Sequence, residues 1–136
     1  MEKKTKGNVM DLVTIGITIL AMTIVVMVYL ECTEMMLKKL EVSQVSRKYI
    51  LKMETEGYLS QENKTMLLTE LKDLGLENVD VSGTTLYPVT YGDTITLKIR
   101  GGFKRKLLAR EEELWNGGFS TSLVPLEEIR MSTAKN

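Results

Sequence analysis

Between Asp11 and Glu31 the chain carries nineteen consecutive residues without a charge, LVTIGITILAMTIVVMVYL, from Leu12 to Leu30. As a helix rising about 1.5 Å per residue, this run is about 28 Å long, the hydrocarbon thickness of a bilayer. A buried core helix of that length would need a large protein around it. Only about 80 residues follow the helical region, too few to wrap it on the scale of ordinary domain burial. A cleaved signal peptide would also begin with a basic segment such as Lys3, Lys4 and Lys6. Its apolar core, however, is about 7 to 15 residues and ends on small residues. Here Glu31-Cys32-Thr33-Glu34-Met35 follows, with no such site, and Leu30 and Glu31 stand where small residues would precede a lipidated cysteine. The sequence therefore predicts a retained membrane-spanning helix.

Composition narrows the chemistry outside that helix. The chain has 136 residues, 18 basic and 18 acidic side chains, no histidine and one cysteine. Without histidine there is no Ser-His-Asp or Cys-His catalysis, no His-ligated zinc and no imidazole switch. The zero net charge argues against a dedicated nucleic-acid binder. The mean hydropathy of −0.05 averages one very apolar block with a polar remainder. Cys32 cannot close an intrachain disulfide; it can join two chains or serve as a small apolar filler. No Gly-rich phosphate loop or CxxC pair is present, and the expectation is a non-enzymatic chain with no cofactor and no metal.

Lys3, Lys4 and Lys6 crowd the N-terminal tail and favour its retention in the cytoplasm, although Lys38, Lys39, Arg47 and Lys48 lie within the counted window at the other end. The expected location is the cytoplasmic membrane, crossed once, with a cytoplasmic N-terminus and an extracytoplasmic C-terminal head. The lipid bilayer is the first expected partner.

From Glu31 to Glu56 there is no Pro or Gly, and good helix formers dominate. The expected helix therefore runs from about Asn8 to Glu56. Met35, Met36, Leu40, Val42, Val45, Tyr49, Ile50 and Met53 recur at spacings of three and four, with Val45, Tyr49 and Met53 along one stripe that requires a partner. Gly57 caps this helix. Ser60 is the expected N-cap of a second one, with Leu67, Leu71 and Leu74 on one face and Gly75 as its stop. Val79 and Val81 then alternate with polar residues in a short strand ending at Gly83, and 84–92 reads as a loop containing Pro88. Ile95, Leu97, Ile99 and Phe103 share one face of a strand over 94–103, with Gly101-Gly102 marking a bulge or bend. A last strand is expected around 123–131. Its phase shift between Val124/Leu126 and Ile129/Met131 suggests a bulge, and Pro125 an edge position. Residues 107–115 read as a short helix stopped at Asn116-Gly117-Gly118 or as a hairpin arm. The predicted fold class is α+β: a long transmembrane helix continuing into an exterior amphipathic helix, packed on a small antiparallel sheet of about three strands plus one short helix, in the manner of a lollipop. The predicted parts are a basic leader (1–7), a transmembrane and stem helix (8–56) and a head (57–136).

The charges fall in blocks. Residues 94–110 carry six bases and no acid: Lys98, Arg100, Lys104, Arg105, Lys106 and Arg110. This stretch fits an anionic envelope polymer, lipid headgroups or an acidic partner. The plainer alternative is a solvated strand face neutralised by Glu111, Glu112 and Glu113, whose charges prevent edge pairing. Asp80 and Asp93 read as turn and strand-end residues. Asp11, at the start of the apolar block, either caps the helix or pairs with an amine or lysine of a neighbouring stem. Thr14, Gly16, Thr18 and Thr23 are the small or hydroxyl residues that permit close approach of helices.

A short basic leader ending at Gly7, then Asn8-Val9-Met10-Asp11 and an uninterrupted apolar helix leading to a small sheet, resembles the signal and stem of type IV pilins. It looks most like the small pseudopilins of tight-adherence (Tad) pilus systems, the TadE-like family. Lys52-Met53-Glu54-Thr55-Glu56-Gly57-Tyr58-Leu59 and Tyr91-Gly92-Asp93 are more closely similar to a family of short bacterial membrane proteins of unassigned function associated with Tad-like systems. The resemblance implies a pseudopilin-like subunit of a pilus or secretion assembly, with other pilin-like stems or copies of itself as partners and a prepilin peptidase as processing partner. It implies cleavage after Gly7, Asn8 as the new N-terminus and Asp11 as the acid that contacts the next subunit. Asp11 is then the fourth mature residue where the family's acid is the fifth, and Asp where Glu is usual, which leaves a retained leader and an accessory role as the alternative. A second function, of another class, is a membrane-anchored binding module whose basic strand recognises an envelope ligand or a partner protein.

Overall fold

A computed structural model describes residues 2–107 and 120–136. The elements are α1 (Glu2–Glu56), α2 (Gln61–Asp73), β1 (Leu76–Asp80), β2 (Thr94–Leu107) and β3 (Ser120–Thr133). The strands form one antiparallel sheet in the order β1-β2-β3. The chain divides into two compact units, one ending at Leu37 and the other comprising Lys38–Asn136, and α1 contributes to both. The architecture is α+β as expected. The helix begins at Glu2, upstream of the expected start at Asn8, and runs through Gly7 without interruption.

Within Lys38–Asn136 the core is built from the two periodicities of the sequence. Val42, Tyr49, Ile50 and Met53 of α1 are buried, with Ser46 between them. These positions recur at three and four residues and so form one helical stripe. Val45, expected on that stripe, is only half-buried. Ile95, Leu97, Ile99 and Phe103 of β2 are all buried and lie on one face because alternate strand residues share a side. Leu67 and Leu71 of α2, with Leu59 and Leu76, close the core.

The punctuation follows the chain. Ser60 is the N-cap of α2, its hydroxyl accepting from the Asn63 amide at 3.4 Å, and Glu62 lies in the first turn. Gly57 and Gly75 follow the two helices with φ of +78° and +86°, where a Cβ would be strained.

Three local expectations are corrected. First, β1 spans Leu76–Asp80 and leaves Val81 beyond its end, buried. Second, the Gly101-Gly102 pair does not interrupt β2. The bulge lies on β1, between the pairs Glu77↔Gly102 and Asp80↔Arg100, where Asn78 has φ of +52°. Gly101 is needed because a Cβ there would stand 2.7 Å from Leu76 Cγ and 3.0 Å from Glu77 O. Third, β3 has no bulge: its register with β2 is continuous from Leu107↔Ser120 to Thr94↔Thr133. Ile129 and Met131 are on the exposed face, while Glu128 and Arg130 turn toward Ser43 of α1. The apparent phase shift was a polar pair on the inner face. β2 and β3 also extend further than expected, to Leu107 and from Ser120, and the alternatives for 108–115 lie outside the described residues.

Candidate functional site

The first candidate site is the stem. From Val9 to Leu30 every large apolar side chain is exposed, and no residue of the candidate spanning window is buried. α1 is long and apolar enough to cross a membrane. The hydroxyls of Thr14, Thr18, Thr23 and Thr33 donate to the carbonyls of Met10, Thr14, Ile19 and Tyr29 at 2.8–2.9 Å. A hydroxyl left unpaired in hydrocarbon costs several kcal/mol, roughly 4 to 8 on a cyclohexane scale. These threonines are therefore satisfied within their own helix and offer a neighbour small size, not an unmet hydrogen bond.

Helical periodicity separates the predicted packing residues. At 3.6 residues per turn, Gly7, Asp11, Thr14 and Thr18 fall on one face, whereas Gly16 and Thr23 fall on roughly the opposite one. A Cβ added at Gly7 or Gly16 meets nothing within 4 Å, so neither glycine is required by the fold of the chain itself. Asn8 and Asp11 are exposed on this helix.

The second candidate is the basic strand. Its described cations are engaged: Lys98 Nζ and Arg100 Nε both contact Glu127 Oε1 at 3.1 Å, and Lys104 Nζ lies 2.7 Å from Glu77 Oε1. The two cations beside Glu127 hold its carboxyl below the usual glutamate range, through hydrogen bonds from Lys98 and then Arg100. Arg105 and Lys106 lie on β2, and Arg110 lies outside the described residues. Acids on β1 and β3, far away in sequence, thus pair with three of the six bases that read as an isolated block. Asp80 and Asp93 are not brought together chemically. Asp80 accepts from the Ser82 amide and hydroxyl, and Asp93 from the Thr90 amide, as turn residues do. Among the described residues no group of acidic or cysteine side chains could hold a metal ion.

Sequence reasoning missed a third feature, the seam between α1 and β3. Arg130 Nη2 donates to Ser43 Oγ at 2.6 Å and contacts Glu128 Oε1 at 3.2 Å, while Ser43 Oγ reaches Glu128 Oε1 at 3.3 Å. Beside this network an open groove of about 400 Å³ is lined by Arg47, Ile50, Leu51 and Glu54 of α1 and by 129–132 of β3. Glu54 is committed elsewhere: it accepts from Ser132 Oγ at 2.5 Å and from Lys135 Nζ at 2.7 Å. The only sequence signal for this seam was the broken alternation in β3.

Compared with protein-family models, with curated proteins and with solved structures, the chain matches none.

Proposed function

We propose that this chain is a single-pass, non-enzymatic membrane subunit whose stem packs laterally against other stems in a pilus-like or secretion assembly, as its resemblance to TadE-like pseudopilins implies. The observation that carries the reading is the uncovered apolar surface of α1 from Val9 to Leu30. Such a surface is stable in lipid or against a like surface, and unstable in water by about 25 cal/mol per Å². Satisfied threonine hydroxyls and small residues on two opposed faces support close contacts with more than one neighbour. Lipid solvates the stem of the free subunit; assembly exchanges lipid for stem-to-stem contacts, and the head determines which subunits meet. The N-terminus is cytoplasmic, the head extracytoplasmic, and Asp11 contacts the amine of an adjacent stem after cleavage beyond Gly7 by a prepilin peptidase. The reading based on the basic strand has less support, because Lys98, Arg100 and Lys104 already have acidic partners.

The test is the intact mass of the protein recovered from its native membrane, together with its assembly. Loss of residues 1–7 supports pilin-type maturation, and an unchanged N-terminus favours an accessory subunit that keeps its leader. Cleavage beyond Leu30 removes the anchor and ends the proposal. Gly16→Leu and Asp11→Ala are expected to abolish co-purification with other stems while the head still folds; unchanged assembly in both overturns lateral packing.

A further inference from the structure

We propose that the free edge of β3 and the adjoining α1 groove bind an extended segment of a partner protein, one carrying an aliphatic side chain and, two residues later, a carboxylate. This inference concerns the head, and only its exclusion of a second copy rests on the proposed membrane anchoring of the stem.

The edge is available in the required sense. β3 pairs with β2 only, among the described residues. Just beyond β3, the Ala134 amide donates to Asp93 O and its carbonyl accepts from Gly92 N, both at 2.9 Å. Both polar groups of Ala134 thus face the β2 side. Since strand residues alternate in the direction of their N–H and C=O groups, those of Glu127, Ile129 and Met131 point to the open edge. Pro125 belongs to the same outward series, where its missing N–H deprives β2 of nothing. Natural edges are usually guarded by charge, proline or a bulge. This edge carries Pro125, Glu127 and the inward pair Glu128 and Arg130 as such guards; beyond Pro125 its register is still continuous, and exposed Ile129 and Met131 stand on its outer face.

The groove states what the added strand should carry. Of its charged lining residues, Glu54 is paired with Lys135 and Arg130 with Glu128. Arg47 has no ion-pair or hydrogen-bond partner among the described residues. One uncompensated positive charge therefore lies on the α1 side of the groove beside exposed Leu51, while Ile129 projects from the outer face of the sheet. Arg47 and Leu51 are one turn apart on α1, about 6 Å. Residues i and i+2 of an extended strand are about 7 Å apart and share a face. α1 and β3 run the same way, because Ser43 meets Glu128 and Arg130 while Glu54 meets Ser132. A strand antiparallel to β3, the more stable pairing, passes Leu51 first and Arg47 second. Its inward residues are then aliphatic at i and acidic at i+2, with main-chain bonds to Glu127, Ile129 and Met131 supplying sequence-independent affinity. A second copy of β3 fits less well: antiparallel pairing of two copies sends their α1 helices in opposite directions, which two stems held in one membrane do not allow.

The experiment uses the full chain in detergent and measures fluorescence anisotropy of an acetylated, amidated and labelled octapeptide, TKTVTDTK in one-letter code. The peptides TKTVTKTK and TKTDTVTK serve as the charge and order controls. We expect saturable binding of the first peptide, at least about tenfold tighter than either control, and a loss of about tenfold in Arg47→Glu. Ile129→Pro removes one outward N–H, as Pro125 already does, and is expected to weaken binding by roughly fivefold or more; Met131→Pro repeats the test at the next outward position. Equal binding of the three peptides, or undiminished binding in Arg47→Glu and both proline variants, overturns the proposal. So does a homodimer of the full chain that Ile129→Pro dissociates and the peptide does not displace, since the edge would then belong to a second copy.

Discussion

Glu54 and Lys135, 81 residues apart in the chain, are joined twice: Lys135 Nζ lies 2.7 Å from Glu54 Oε2, and the Lys135 amide donates to the Glu54 carbonyl at 2.6 Å. The last residues of the chain thereby latch onto the end of α1. Asn136 Nδ2 extends the latch to the Val89 carbonyl at 3.1 Å. Deleting Lys135 and Asn136 removes a main-chain bond worth about 1 kcal/mol. In a domain of this size that corresponds to a fall in Tm of roughly 4 to 8 °C, measurable by near-ultraviolet circular dichroism.

The same latch has an acid limit. Hydrogen bonds from Lys135 and then Ser132 hold the Glu54 carboxyl below its ordinary value of 4.5. A depressed carboxylate stabilises the fold above its unfolded pKa, and this contribution is lost as pH falls through the folded one. Glu54→Gln is therefore expected to lower stability more at pH 7 than at pH 2. An equal loss at both pH values would show that the charge of Glu54 does not matter.

Tyr49 has the opposite sign. Burial, then the hydrogen bond of its hydroxyl to Glu70 at 3.1 Å, pushes its phenol from 10.0 up to about 12. The neutral phenol is thus favoured in the folded chain, and its contribution is intact below pH 10 and lost as pH rises toward 12. Absorbance at 295 nm should show a tyrosine step near pH 12, and Tyr49→Phe should remove it. Tyr49→Phe should cost about 0.5 to 1.5 kcal/mol, against about 3 to 5 for truncation to Ala, because only the second change leaves a cavity.

The two adjacent glycines of β2 should respond differently. At Gly101 a Cβ meets Leu76 Cγ at 2.7 Å and the backbone oxygen of Glu77 at 3.0 Å, and a backbone atom cannot simply rotate away. At Gly102 the main obstacle is the exposed Leu123 side chain, which can adopt another rotamer, and the nearest backbone atom, Val124 O, is farther away at 3.3 Å. We expect Gly101→Ala to cost about 1 to 3 kcal/mol and Gly102→Ala less than about 1, read from urea midpoints.

A charge in the middle of the stem tests the solvent assigned to it. Ala21→Arg should raise the insertion free energy by about 2.5 to 3.5 kcal/mol. The carbonate-resistant membrane fraction should fall accordingly, while the head retains its near-ultraviolet spectrum. No change in extraction would show that lipid does not hold this helix.

Much of the fold was legible from local pattern. The long helix, the Ser60 cap, the glycine stops and the inward face of β2 follow from spacing and from the few residues that tolerate each backbone conformation. The small residues of the stem were legible as types, and helix geometry alone divides them between two faces. β3 was misread because Glu128 and Arg130 occupy inward positions where an apolar residue is the rule. They are tolerated there because Ser43, on a different element, completes their hydrogen bonds.

By itself, the order of residues determined that the chain carries an uncharged apolar run long enough, as a helix, to cross a membrane, since length and charge are additive along a segment. Tertiary structure decided which charges are paired: Glu127 and Glu77 engage Lys98, Arg100 and Lys104, Lys135 engages Glu54, and Arg47 has no partner among the described residues. Ion pairs form through space between segments brought together by folding, so no periodicity along the chain records them.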